Sequence, residues 1–292
     1  MIKHKSHHFA SEGTKTSLRV GVNASNFHLT LASAWDLDFG NIDVEFISYS
    51  AGRNSAELLR SGEIDICGTS STQPLLAADT GLDVMYVAAS AQRRLDGSVV
   101  VPAHSSFWSL RDLAGCTIGL ACNSFQMYLL VEALEKEKLT LNDITLYDLM
   151  PGEGLSVLRQ KKIDALVTLA PYQEYALAEG NIRVLEGSKA LIPNRSVFWT
   201  LKKKNLGAYT LASFFDAMEY LGVSIHNDVA RAASILAAGD TNSSFKKAWR
   251  KAIVERDWTI HRINKIVLQE LQDESDMLFR NGILKTHINI IN

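Results

Sequence analysis

The chain has 292 residues, 47% of them hydrophobic, and a formal net charge of −2 at pH 7. That length suggests about two domains, each able to bury a sizeable core. The near-balanced charge excludes the basic field that recognises nucleic acid or an acidic membrane surface, and no apolar run approaches the ~18 residues of a membrane span.

Residues 1–17 are polar, hold His4, His7 and His8, and contain no apolar h-region. They read as a flexible N-terminal segment, not as a secretory signal. The chain as written is therefore expected in the cytoplasm, or in the periplasm or outside the cell if a leader has been removed.

Leu18–Val22 reads as a buried strand. The polar turn Asn23–Asn26 follows it, then a helix over Phe27–Leu37. Ile42–Ser48 alternates apolar and polar residues, as a strand with one covered face does. Gly52–Ser55 is a second polar turn, leading to a short helix that ends at Gly62. Ile64–Cys67 is a strand, Gly68–Pro74 a loop rich in hydroxyls, Leu75–Asp79 a helix and Val84–Ala89 a strand. Strand, polar turn and helix thus recur, which points to parallel sheets with helical crossovers.

The same unit returns further on. Ser98–Pro102 and Cys116–Ala121 are strands, and Ser109–Gly115 is a short helix closed by glycine. Ile144–Leu149, Ile163–Thr168 and Ile182–Leu185 are strands, with a helix from about Met150 to Lys161. Pro171 fits the first turn of the next helix. From Ser196 the pattern changes: Ser196–Leu201 is a strand, and helices are expected over 207–221, 226–238, 244–251 and 261–281. This places His226 at a helix start and His261 on a helical surface. Crossings between two sheet units fall near 89–98 and 191–196. They divide the chain into one lobe of 18–95 with 197–292 and a second of 96–196, with a ligand cleft between them.

One stretch stands out for chemistry. Gly119–Leu130 reads as a strand end, a tight turn and a helix capped at Asn123 or Ser124, with Met127, Leu130, Val131 and Leu134 on one apolar stripe. A helix start at the carboxyl end of a strand offers free N–H groups to an anion. Cys122 lies beside it, where a thiolate is favoured. Two readings stay open: a nucleophile, for which His28 and His104 are the candidate bases, or a small residue filling a turn. Cys67 and Cys116 read as core residues, and the five tryptophans as core more often than ligand platforms. Three cysteines without metal spacing suggest no disulfide framework. Nothing asks for a metal ion or a cofactor, and neither paired catalytic carboxylates nor a phosphate-binding glycine loop is present.

Val101-Pro-Ala-His-Ser-Ser-Phe-Trp-Ser-Leu-Arg-Asp-Leu-Ala-Gly-Cys-Thr-Ile-Gly119 resembles a run of the type II periplasmic binding proteins, closest to the alkanesulfonate, taurine and nitrate-binding group. Leu58-Leu-Arg-Ser-Gly-Glu-Ile-Asp-Ile66, Lys161-Lys-Ile-Asp-Ala-Leu-Val-Thr-Leu-Ala-Pro-Tyr172 and Asp276-Met-Leu-Phe-Arg-Asn-Gly-Ile-Leu284 are similar to three more of its segments, in the same order. The resemblance implies a bilobal α/β fold, with two parallel or mixed sheets flanked by helices and closing over a small ligand. It implies ligand contacts at Asn23, Ser25 and Asn26 in the first turn, and at Arg53 in the second. Arg53 is the only cation these loops bring to an anion. It is either an anion clamp or a solvated loop residue. Ser70, Ser71 and Thr72 either donate to the ligand or cap the next helix. Asn123, Ser124 and Phe125 come from the opposite wall, with Pro171, Tyr172 and Gln173, and Asn194 to Ser196 lie at the second crossing. Ala170 stands where the family often carries an acid.

The function these features imply is binding of a small organic anion, a sulfonate or carboxylate, for uptake through an ABC-type permease. The alternative is a cytoplasmic enzyme on the same fold, similar to the desulfinases, the chorismate-dehydrating enzymes or the thiamine-pyrimidine synthases. None of those groups' catalytic motifs stands in this chain.

Overall fold

The computed structural model describes residues 16–150 and 152–291, so His4, His7 and His8 of the N-terminal segment lie outside the described residues. Among these, the strands sort into two mixed sheets. The first contains β1 (Thr16–Val22), β2 (Ile42–Ser48), β3 (Ile66–Ser70), β4 (Val84–Ser90), β10 (Ser196–Leu201) and β11 (Ile260–Arg262), in the order β11-β4-β10-β3-β1-β2. The second contains β5 (Ser98–Pro102), β6 (Thr117–Leu120), β7 (Thr145–Asp148), β8 (Ala165–Thr168) and β9 (Ile182–Val184), in the order β7-β6-β8-β5-β9.

With the edge strand β11 set aside, the two orders match position by position: β2-β1-β3-β10-β4 against β7-β6-β8-β5-β9. In each sheet the first three strands of that order are parallel. The fourth, β10 or β5, is inserted antiparallel between its neighbours. Both inserted strands follow a passage of the chain from one sheet to the other, after Ser90 and before Ser196. Packing repeats as well. A Cβ added at Gly21 in β1 would lie 2.5 Å from Cδ1 of Ile64, and one at Gly119 in β6 would lie 2.5 Å from Cδ1 of Ile163. Each glycine lets an isoleucine close over its sheet.

The helices are α1 (Phe27–Ala32), α2 (Ser55–Ser61), α3 (Thr72–Asp79), α4 (Phe125–Lys136), α5 (Gly154–Arg159), α6 (Tyr172–Ala178), α7 (Ala208–Asn227), α8 (Val229–Leu236), α9 (Ser243–Val254) and α10 (Lys265–Arg280). They cover both faces of the sheets, which is why β10 is buried at every position and reads as one apolar run. Its Phe198 packs with Phe214 and Phe215 of α7, and its Trp199 packs on the other face with Leu59 and Ile64. The expected stripe of α4 is buried in one cluster with Val99, Ile118 and Leu120. Met277 and Leu278 of α10, and Leu284 beyond it, join that same cluster.

Several boundaries differ from expectation, each for a physical reason. Helix α1 stops at Ala32, not Leu37, because Trp35, Leu37 and Phe39 reach the core by alternation in an extended segment. The hydroxyl-rich loop hardly exists: Gly68, Thr69 and Ser70 are strand, paired with β10, and the helix starts at Thr72. Helix α7 runs through Gly222, where a Cβ would meet the Trp258 carbonyl at 3.1 Å, so His226 lies in its last turn and not at a helix start. His261 sits in β11, an edge strand too short to show a period, and α10 begins only at Lys265 behind its cap Asn264. Trp108 departs from the core reading: it is 67% exposed, under the Arg183 guanidinium.

Ser124 is the N-cap of α4, its Oγ accepting from the Gln126 amide at 3.2 Å and donating to the Ala121 carbonyl at 2.8 Å. Ser124→Ala should therefore cost about 1 kcal/mol, read as a lower urea midpoint with an unchanged slope.

Candidate functional site

Carboxyl ends of strands from both sheets border one cavity of about 390 Å³. From the first sheet come Asn23 and Ser25 after β1, Gly52 and Arg53 after β2, and Thr69 and Ser70 at the end of β3. The second sheet contributes Cys122 to Phe125 after β6, Asp148 and Met150 at β7, and Thr168 to Tyr172 after β8. Arg93 and Ser196 enter from the two crossings. The cavity thus lies where such sheets place ligands, at strand carboxyl ends.

The structure brings together Asn23, Ser25, Arg53, Ser70, Asn123, Ser124, Phe125, Pro171 and Tyr172, along with Cys122. Asn26, Ser71, Thr72 and Asn194 do not line this cavity. Asn26 caps α1 through the Leu29 amide at 3.0 Å, its amide nitrogen lying where a Gly68 Cβ would be. The Thr72 hydroxyl donates to the buried carboxylate of Glu274. Ser71 and Asn194 line a separate void of about 10 Å³ behind the β3–α3 junction. Asn194 also ties the crossings together, donating to the Asp96 carbonyl while its own carbonyl accepts from Arg93 Nε at 2.9 Å. Gln173 is buried and accepts from the Ser98 hydroxyl.

Electrostatics correct the reading of Arg53 as the only cation. Its side chain is 45% exposed and its guanidinium stands 4.0 Å from Asp148, a carboxylate of the opposite wall. Arg93 also lines the cavity, and its side chain is only 9% exposed. Burial and the neighbouring Arg256 push its guanidinium down to about 9, so it still carries its charge at neutral pH. Asp96 lies between the two arginines, 2.6 Å from Arg256 and 3.8 Å from Arg93. One carboxylate thus faces two buried guanidiniums, and burial holds the nearby Glu174 carboxyl above its ordinary range. The crossing at 89–98 is legible in the sequence, and the Arg93–Arg94 pair inside it is the available signal.

The helix start after β6 is less open to an outside anion than its sequence suggests. Gln126 Oε1 accepts from the Ala121 amide at 2.6 Å, and Asp148 Oδ1 accepts from the Cys122 amide at 3.0 Å. A carboxylate of the chain itself therefore already meets part of this dipole. Burial and the same Asp148 push the Cys122 thiol up to about 11, opposite to the shift a helix start alone would give, so little thiolate forms at neutral pH. Neither suggested base reaches it across the cavity wall. His28 is buried with its Nε2 3.3 Å from the Trp258 carbonyl, and burial lowers its pKa to about 3. His104 is exposed in the turn after β5.

This architecture, two matched mixed sheets with a cavity at their strand ends, is the fold of the type II periplasmic binding proteins. The alkanesulfonate-binding protein SsuA from Xanthomonas axonopodis pv. citri, solved bound to MOPS, superposes with a TM-score of 0.84 at 20% identity, over 95% of this chain and 97% of that one. The periplasmic aliphatic sulphonate binding protein SsuA from Escherichia coli gives a TM-score of 0.84 at 21% identity, over 94% and 96%. An Escherichia coli (strain K12) protein named for binding aliphatic sulfonates is 27% identical over 217 residues, 71% of this chain and 68% of its own length. The chain belongs to the NMT1/THI5-like family, whose model matches residues 40–196.

Proposed function

We propose that this chain is a solute-binding protein that holds a small organic anion, a sulfonate or a carboxylate, in the cavity between its sheets. The observation that carries the reading is Arg93, a buried cation on the cavity wall, with hydroxyls of Ser25, Ser70 and Thr168 on the same wall system. The names of its relatives support it. Residues 18–95 with 197–292 form one closing unit and 96–196 the other, hinged at the two crossings. Ligand shifts this pair toward a closed form. An ABC-type permease outside the cytoplasm reads that form. Among the described residues no helix is long and apolar enough to cross a membrane.

A thermal-shift screen of sulfonates and carboxylates tests this. A ligand at 100 times its Kd should stabilise the fold by about 2.7 kcal/mol. Arg93→Gln should weaken that ligand about 10-fold or more by calorimetry, as expected for losing a charged hydrogen bond. Arg53→Gln, at the exposed rim, should weaken it less. Equal losses would move the anion to the rim, and recovery of a chemically altered ligand would contradict simple binding.

A further inference from the structure

The cavity has a second chemical character, opposite to its cationic one. Phe27 of α1, Trp249 and Phe245 of α9 and Tyr172 of α6 all line it. They form a continuous file. Phe27 and Trp249 meet edge to face with ring centroids 4.7 Å apart, Trp249 and Phe245 at 6.3 Å, and Phe245 and Tyr172 at 5.7 Å with a 43° tilt. The file starts beside the ionic cluster: the Arg256 guanidinium lies 4.6 Å from the Phe27 ring and shares Asp96 with Arg93. A cation and an aromatic wall are therefore adjacent within one cavity.

Size gives the same direction. The cavity volume is about 390 Å³. A sulfonate or carboxylate head fills only a small part of that. The rest is bounded by aliphatic side chains such as Leu149, Leu155 and Leu236 and by this file of rings; wetting either is unfavourable, and the ring faces suit a planar partner. The file also spans the two sheet units, since Tyr172 and Tyr175 of α6 meet Phe245 of α9.

We infer that the ligand is an aryl or heteroaryl anion, its charged group toward Arg93 and its ring along the Phe27–Trp249–Phe245–Tyr172 file. This rests on the anion-binding reading above and narrows it to a substrate class. A ring in that place touches both units at once, so the tail and not only the head favours closure.

Calorimetry with ethanesulfonate, hexanesulfonate, benzenesulfonate and 2-naphthalenesulfonate, and with hexanoate and benzoate, separates the possibilities. Benzenesulfonate should bind about 5-fold or more tightly than hexanesulfonate, and benzoate than hexanoate, the margin expected of an aromatic contact beyond its area, with 2-naphthalenesulfonate binding at least as tightly as benzenesulfonate. Phe245→Leu and Tyr172→Leu should each remove most of that preference, weakening benzenesulfonate more than hexanesulfonate. Both side chains are only half-buried, so these variants are less exposed to misfolding than a change at buried Trp249. Hexanesulfonate binding as tightly as benzenesulfonate, or a preference that survives both substitutions, overturns the inference and leaves anion binding standing. Failure of every sulfonate and carboxylate to bind overturns anion binding, and this inference with it.

Discussion

Asp96→Ala should destabilise the protein by about 3–5 kcal/mol, the cost of leaving buried charge without its partner. Asp96 sits on the crossing from β4 to β5. Its carboxylate accepts from Arg256 at 2.6 Å and from the Ala170 amide at 2.9 Å. Arg256 lies just beyond α9 and Ala170 in the turn after β8, so this one side chain joins elements on both sides of the cavity. The Arg256 side chain is 4% exposed and one of its terminal nitrogens already lacks a partner. Removing Asp96 would leave Arg256 and Arg93 facing each other with little water to screen them. Equilibrium urea unfolding, followed by tryptophan fluorescence, measures the loss. Asp96→Asn keeps an acceptor for the Ala170 amide but not the charge, and should lose most of the same stability. Asp96→Ala combined with Arg256→Met should recover part of it, because only the Arg93 charge is then left buried, and it keeps its hydrogen bond to the Asn194 carbonyl. A loss under about 1 kcal/mol for Asp96→Ala would mean that the cluster is solvated like a surface pair.

That cluster also marks the boundary of what could be read along the chain. Alternation of strand, polar turn and helix was visible because each buried strand is short, apolar and followed by a capping residue, as at Val20 to Asn26. The turns after Val22, Ser48 and Cys67 and the helix start after Ala121 could then be placed at strand carboxyl ends, and most of the residues that the resemblance implies do line the cavity. What escaped was set by pairing distant in sequence. Thr69 and Ser70 read as loop because the glycine and the run of hydroxyls from Gly68 to Thr72 outweigh the strand preference of Thr69 itself; they are held in β3 by β10, more than 100 residues later. Arg93 carried no local mark of burial, since its surroundings come from Asn194, Asp96 and Arg256. Asp148 ended an exposed edge strand, and nothing near it in sequence tells that it faces Arg53 and the Cys122 amide. The aromatic file is likewise assembled from α1, α6 and α9, three elements with no periodic relation. Residues spaced along one helix or strand declare their common face; residues gathered by closure of two units do not.

A second large effect is expected from pH, through two buried groups that act in opposite directions. Glu274 of α10 is buried beneath the β3–α3 junction, hydrogen-bonded by Thr72, with Tyr128 of α4 and the Arg195–Glu270 ion pair around the same small void. Burial pushes its carboxyl from 4.5 up to about 7, against the hydrogen bonds of Ser71 and Thr72. Between those values the unfolded chain gives up a proton that the folded one keeps, so stability falls as pH rises, by roughly 3 kcal/mol in all. His28 does the reverse. Its pKa falls from 6.5 to about 3, so the unfolded chain takes up a proton first and stability is lost as pH drops through that range. Over the interval from 4.5 to 6.5 the two slopes largely cancel, and the parent protein alone shows little. The difference between parent and Glu274→Gln removes the cancellation, because glutamine resembles the protonated acid and keeps partners for Ser71 and Thr72. The variant should match the parent below about pH 4.5 and exceed it by up to about 3 kcal/mol near pH 8. His28→Gln should flatten the parent's acid limb instead. Parent and Glu274→Gln curves that stay parallel from pH 4 to 8 would mean that Glu274 is already ionised in the folded protein. The Ser71–Thr72 turn would then be holding a charge beside the wall that presents Ser70 to the cavity.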